Sequence, residues 1–406
     1  MAWRSNFTVK TLAPGMLVAA TGVGAGDLIT ASLGGSEVGL VVAWAALAGA
    51  LLKWTLNEGV ARWQMATGTT LLEGWVQHLH PSVQWLFLAY FLLWSFVVGG
   101  ALVNACGVAG ASLLPFGDPD TARIVWGVVH SLASLVIVLR GGYAWFEKAM
   151  AACVGIMAVG VVLTAGLLWL SPEEVAPVAR TTGSAESSRW ALAVLGGVGG
   201  TVTLLAYGYW IAERRRSGRE GLVACRVDLG VAYAVTALFG ASMIVIGSRI
   251  EIGGRGAGVA LDIAAQIGTV LGAAGSGAFL LGFWGAVFSS ILGVWQSAPY
   301  LFADFVALRR SGGAADGPIG SRAAYRWYMV AMALITPVWL LAPVRTIQLI
   351  YATLGAAFLP LLAITLLILN NRRALVRDLR NGWVVNLLLI ATVLVFGYLG
   401  VRGISD

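Results

Sequence analysis

The feature that most limits what this chain can fold into is a succession of apolar runs, each about twenty residues long and nearly free of charge. At ~1.5 Å of rise per residue, a helix of ~20 residues crosses a ~30 Å hydrocarbon core. Hydrocarbon offers a backbone no water to bond to, so runs of this length close their hydrogen bonds internally as helices. They lie near 12–35, 38–56, 84–106, 122–140, 146–170, 191–211, 228–248, 272–298, 325–342, 347–369 and 383–401. This pattern predicts an all-α integral membrane protein of about eleven transmembrane helices. Composition agrees: 59% of residues are hydrophobic and 11% charged, against about a quarter charged in soluble domains. No soluble domain of 406 residues could hide so much apolar side chain.

A net charge of +7 raises the question of a polyanionic partner, and the distribution of the charge answers it. Assigning loops alternately to the two sides puts 19 of the 26 Lys and Arg residues on one side, including Arg4, Lys53, Arg62, Arg214–Arg216, Arg309 and Arg372. The other side, with Arg123, Arg180 and Arg345 among its members, holds 7. Such a bias predicts a multi-pass inner (plasma) membrane protein with a cytoplasmic N-terminus and an external C-terminus. The cations read as topology signals and lipid anchors, as for Arg214–Arg216, with no nucleic acid as partner. The segment 1–10 is short and polar and leads to no small-residue cleavage site, so no removable signal peptide is expected. Cys106, Cys153 and Cys225 form no C-x-x-C pattern and the chain has three histidines, which argues against a disulfide framework or a resident metal cage. No phosphate-binding loop, nucleophile elbow or H-E-x-x-H motif occurs, so neither ATP coupling nor covalent catalysis is expected, and no cofactor.

Fifty-three glycines are unusual for a helical chain, since each costs roughly 0.8–1 kcal/mol relative to Ala inside a helix. Close helix packing in membranes accounts for most. Two clusters exceed that need: Gly22 to Asp27 within the first span, and Gly196 to Gly200 with Ala206, Tyr207, Gly208 and Tyr209 in the sixth. Spans one and six are equivalent if the first ten form two inverted five-span repeats, near 12–170 and 191–369, with an extra helix near 383–401. Interrupted helices at matching positions of two halves point to a binding site at the midplane.

Several segments resemble the Nramp family of divalent-metal transporters in order and spacing. They are Glu58 to Arg62 with Thr67-Gly68, the start of the seventh span from Asp228 to Ala234, Ser289-Ser290, Phe358 to Leu361, and Asn371 to Arg373 with Asn381. The resemblance implies a LeuT-like fold of two inverted five-helix repeats with broken helices one and six. It also implies secondary transport of a divalent metal ion, with the proton as candidate coupling ion. The metal motifs themselves depart. The family's first-span Asp-Pro-Gly-Asn falls on Gly24-Ala25-Gly26-Asp27, its sixth-span Met-Pro-His is replaced in the region Leu205 to Tyr209, and Thr353 stands at its tenth-span Gln.

Asp27 is the leading site residue, because an acid deep in a span is expensive and functional by default. Metal-site candidates are Asp27, Gly24, Gly26, Ala206 and Thr353; substrate-binding candidates are Tyr207, Gly208, Tyr209, Ser289 and Ser290. A carboxylate, carbonyls and a hydroxyl make a hard donor set, which favours Mg²⁺ or Mn²⁺ over Fe²⁺. Two rival readings stay open: an amine or amino-acid carrier using the aromatic side chains around Tyr207 and Tyr209, and a transport-inactive scaffold or sensor.

Overall fold

The computed structural model describes residues 13–170, 184–197, 199–249, 258–311, 319 and 322–405. The side chains of Ala25, Gly26, Asp27 and some other helical residues lie outside that description. The polar stretches expected at 171–189 and 309–322 fall largely outside it too.

Every element among the described residues is a helix. The first span is split into α1 (Ala13–Gly22) and α2 (Ala25–Val38), and α3 (Ala43–Thr67) is the second. A short α4 (Leu71–His78) leads to α5 (Pro81–Leu113). The long α6 (Pro119–Leu170) carries two spans, 119–140 and 145–170. The sixth span is again split, into α7 (Ser184–Gly197) and α8 (Ala206–Glu213) joined through a 3₁₀ turn. Then follow α9 (Gly218–Ser248), α10 (Gly258–Ser311), α11 (Ala323–Ile335) with a 3₁₀ extension to Leu341, α12 (Val344–Leu369), the short α13 (Arg373–Val376) and α14 (Trp383–Ser405). Among the described residues eight helical stretches are long and apolar enough to cross a membrane, or nine with the bent pair ending in α14. The split first and sixth spans escape a length criterion, and with them the count reaches the expected eleven.

Local chemistry sets several boundaries. Gly68, at φ +75°, ends α3 in the left-handed conformation that terminates helices. Thr70 and Glu73 form a reciprocal capping box at the start of α4, and the Thr70 hydroxyl also donates to Asp304 on α10 at 3.1 Å. The stretch α10 is two helices joined at a kink, where Gly272 takes φ +69°.

Glycine permits the closest approaches of the bundle. A methyl group at Gly15 of α1 would lie 2.3 Å from the Asp228 carbonyl of α9. At Gly35 of α2 it would lie 2.2 Å from the Ile244 carbonyl, and at Gly247 of α9 it would lie 2.0 Å from the Ser32 carbonyl. Both halves of the first span are thus pressed, backbone to backbone, against α9. A similar seam joins α6 to α10 at Gly160 and Ala278. Gly247→Ala should therefore destabilise the protein by about 1–3 kcal/mol through overpacking. Gly230→Ala on the same helix, where an added methyl meets nothing within 4 Å, should be neutral or stabilising. Thermal unfolding of both variants in detergent checks this.

Candidate functional site

The two breaks are short and touch each other. In the first, Val23 N–H still donates to Ala19 at 3.0 Å and Leu28 N–H donates to the Gly24 carbonyl at 3.1 Å, so Val23 and Gly24 alone interrupt the helix. In the second, α7 stops at Gly197, Gly199 takes φ +87°, and a 3₁₀ turn over Val202–Leu205 leads into α8. A methyl at Gly22 would lie 2.9 Å from the Gly200 nitrogen. The end of α1 therefore rests on the sixth-span break with no side chain between them.

Other helices close around this contact. Ser290 of α10 donates to the Val23 carbonyl at 2.6 Å and lies 3.5 Å from that of Ala20. An added methyl at Gly24 would sit 3.1 Å from the same hydroxyl. Ser289 turns back to the Ala286 carbonyl of its own helix at 2.9 Å. Trp94 of α5 donates to the Thr201 hydroxyl at 3.2 Å, and Gly355 brings α12 against the Thr201 methyl.

From α3, Lys53 Nζ donates to the carbonyls of Gly196 and Gly199, each at 2.9 Å, with the side chain fully buried. One turn on, Asn57 donates to the Leu204 carbonyl at 3.2 Å and accepts from Tyr233 at 2.7 Å. Backbone acceptors released by the break thus meet donors from a neighbouring helix, as a low-dielectric interior demands.

The sequence candidates scatter around this centre. Gly24 and Ser290 meet at the first-span break. Ala206, Tyr207, Gly208 and Tyr209 form the buried start of α8. The Tyr207 hydroxyl donates to Asp228 at 2.5 Å, and the second oxygen of that carboxylate accepts from Arg216 at 2.6 Å. The Tyr209 hydroxyl donates to Asp304 at 2.7 Å. Gly208 faces Gln64 of α3, whose amide oxygen would lie 3.2 Å from an added methyl. Thr353 is exposed on α12, two residues from the Gly355 contact. The backbone of Gly26 and Asp27 lies in the first turn of α2, and their side-chain positions fall outside the described residues. An acid in the first helical turn complements the helix dipole by about 0.3–1 kcal/mol. Among the described residues no three His, Cys, Asp or Glu side chains converge on a metal-sized site.

Lys53, Asn57 and Tyr233 were not among the sequence candidates. Lys53 and Arg62 were counted as loop cations, but both are buried within α3, so they report on packing rather than on loop charge. The usable signal was spacing: Gly49, Lys53 and Asn57 repeat every four residues inside an apolar run and so share one helix face. Asp228, expected to start the seventh span, and Arg226 just before it each have a specific partner. Arg226 joins Arg62 on the Glu58 carboxylate, at 2.8 and 2.6 Å. Arg62 also donates to the carbonyls of Leu379 and Arg380, tying α3 and α9 to the approach of α14. His130 accepts from the Trp284 indole at 2.9 Å, which leaves Nδ1 to donate to the Trp126 carbonyl at 2.6 Å, a neutral packing role.

A helical membrane bundle whose two broken spans meet at its centre is the architecture of a secondary transporter. The profile of the natural resistance-associated macrophage protein-like family, Nramp, matches residues 15–406, and the chain belongs to that family. It is similar to the crystal structure of a manganese transporter of Eremococcus coleocola in complex with an aromatic bis-isothiourea substituted compound, with TM-score 0.75 and 15% identity over 99% of this chain and 88% of that one. More distant are Mhp1, a nucleobase-cation-symport-1 family transporter in a closed conformation with bound bromovinylhydantoin (TM-score 0.59, 13% identity, 97% and 91% covered), and MhsT in complex with L-phenylalanine (0.57, 14%, 99% and 98%). At such identities the likeness establishes the LeuT-like fold. No curated protein sequence matches significantly.

The Glu58 cluster makes a separate prediction. Glu58→Ala leaves the buried Arg62 guanidinium with only the Leu379 and Arg380 carbonyls, while Arg226, 43% exposed, can turn to water. The single variant should cost about 3 kcal/mol, and the double variant Glu58→Leu/Arg62→Met less than the single one. Thermal unfolding of the pair reads out the difference.

Proposed function

We propose that this protein carries a divalent metal ion across the membrane by alternating access around the contact between its two broken spans, with Mg²⁺ or Mn²⁺ preferred over Fe²⁺. Family membership and the fold shared with a manganese transporter support metal transport over the organic-solute readings. The observation that carries the ion preference is that the described groups able to accept at the two breaks are oxygens, the Val23 carbonyl, the Ser290 hydroxyl and the Thr201 hydroxyl among them. The nitrogens there, of Lys53, Asn57 and Trp94, act as donors. The three cysteines are buried and free, and none appears among the contacts of the two breaks. Oxygen donors suit hard ions that keep part of their hydration shell.

Asp27 supplies the carboxylate in this reading, with the backbone around Gly24 and Gly26 beside it. Ala206, Ser289, Ser290 and Thr353 are outer members that engage as α8, α10 and α12 shift through the cycle. Ser290 competes with the ion for the Val23 carbonyl. Protons are the proposed coupling ions. The two repeats comprise 12–170 and 191–369, with 383–401 as an added span. The basic end around Arg214 to Arg216 and Arg226 faces the cytoplasm, which fits the charge bias along the chain. An amine or amino-acid carrier built on Tyr207 and Tyr209 is the weaker reading, because both hydroxyls are already engaged by Asp228 and Asp304.

Calorimetric titration of the wild type and Asp27→Ala with Mg²⁺, Mn²⁺, Fe²⁺, Ca²⁺ and Na⁺, paired with uptake into proteoliposomes, tests the proposal. Saturable heat and uptake are expected for Mg²⁺ or Mn²⁺. In the variant, affinity should fall at least about tenfold, equivalent to about 1.4 kcal/mol. A folded wild type that binds and transports none of these ions would sink the reading.

A further inference from the structure

We propose that Lys53 is a built-in cation of the sixth-span break: its ammonium fills the carbonyl-lined end of α7, the place where a half-helix would otherwise draw a free monovalent ion. The inference concerns the break itself and holds whichever ion the protein transports.

The C-terminal end of a helix carries roughly half a negative elementary charge on carbonyls that lack an intrahelical partner. In broken membrane spans those carbonyls are the usual seat of a coordinated cation. Here Gly196 O, in the last turn of α7, and Gly199 O, just beyond its end, each lie 2.9 Å from Lys53 Nζ. The lysine has no solvent exposure, so these carbonyls take the place of water around its Nζ.

The chain is shaped to deliver the ammonium there. A methyl at Gly49 would stand 2.6 Å from the Leu195 carbonyl, so glycine brings the backbone of α3 onto the last turn of α7. Lys53 lies one turn further along the same face. Gly199 adopts φ +87°, and an added methyl there would lie 3.1 Å from Lys53 Cδ and 3.5 Å from the Tyr233 ring. The lysine stem therefore runs against a position that only glycine fills comfortably. Asn57, a turn beyond Lys53, is anchored by Tyr233 and serves the Leu204 carbonyl. The stripe Gly49, Lys53, Asn57 thus follows the broken segment along its length, one residue spacing the helices and two supplying donors.

Two consequences follow. The sixth-span break needs no sodium or potassium ion to be complete, since a primary ammonium on a four-carbon tether already occupies it. The same fixed charge repels a second cation from the α7 side, which makes Lys53 a determinant of how many ions the centre holds and from which half-helix they are held.

The test is chemical rescue, read by thermal unfolding of the purified full chain in detergent. Wild type and Lys53→Ala are compared in sodium, potassium, ammonium, ethylammonium and tetramethylammonium chlorides at equal ionic strength. The wild-type midpoint is expected to be the same in all five. The variant midpoint should be lower in tetramethylammonium and rise saturably, by several degrees, in ammonium or ethylammonium, which can donate to the vacated carbonyls. A Lys53→Ala midpoint equal to wild type, or one lowered equally in every salt, overturns the proposal. If Lys53→Ala gives no folded protein, Lys53→Met and Lys53→Arg decide. The arginine variant should fold and the methionine variant, equal in stem but uncharged, should be clearly less stable. A methionine variant as stable as wild type overturns the proposal equally.

Discussion

A carbonyl released from a helix inside hydrocarbon must find a donor or cost several kcal/mol, and much of this bundle is arranged around two places where carbonyls are released. At the first break the interruption is confined to Val23 and Gly24, and Ser290 serves the Val23 oxygen. At the second a longer stretch is opened, and Lys53 and Asn57 of α3 and Trp94 of α5 reach into it. These donors come from helices that flank the broken spans, so the breaks organise their neighbours as well as the binding centre. The glycine at position 22 then allows the two opened segments to lie directly on each other.

Charge is treated differently at the periphery. Near the junction of α3 and α9, Glu58 holds two arginines, Asp228 holds Arg216 and Tyr207, and Asp304 holds Tyr209 and Thr70. Glu58 joins α3 to α9, and Asp228 and Asp304 anchor α8 through Tyr207 and Tyr209. Loss of one partner leaves the other buried and unmatched, which costs more than the pair contributes. These clusters therefore fix which helices stay together at that end, while at the centre Lys53 faces carbonyl oxygens.

Much of this could be read from the chain before its structure. Glycine clusters in otherwise apolar spans marked both interruptions, because glycine is tolerated in a helix only at a cost and exposes backbone when the helix opens. Span lengths gave the helix count, and motif order gave the family. The tyrosines were harder. Tyr207 and Tyr209 lie at a break and so looked like ligand residues, but their hydroxyl partners Asp228 and Asp304 lie 21 and 95 residues away, a pairing that one-dimensional spacing does not reveal. Lys53 was misassigned for a related reason. Near the end of an apolar run a lysine usually reaches toward the headgroups, and only the contact of Gly49 with α7 shows that this one points at a helix terminus instead.

One further property follows from the burial of Cys106, Cys153 and Cys225, all of them free thiols. Thiolate reagents need an accessible sulfur, and all three are closed off, Cys225 beneath the Arg216 guanidinium. A single cysteine introduced at an exposed position would be the chain's one reactive handle without any native residue being removed. Fluorophores or spin labels placed in this way can follow the two faces of the molecule on an otherwise unaltered background.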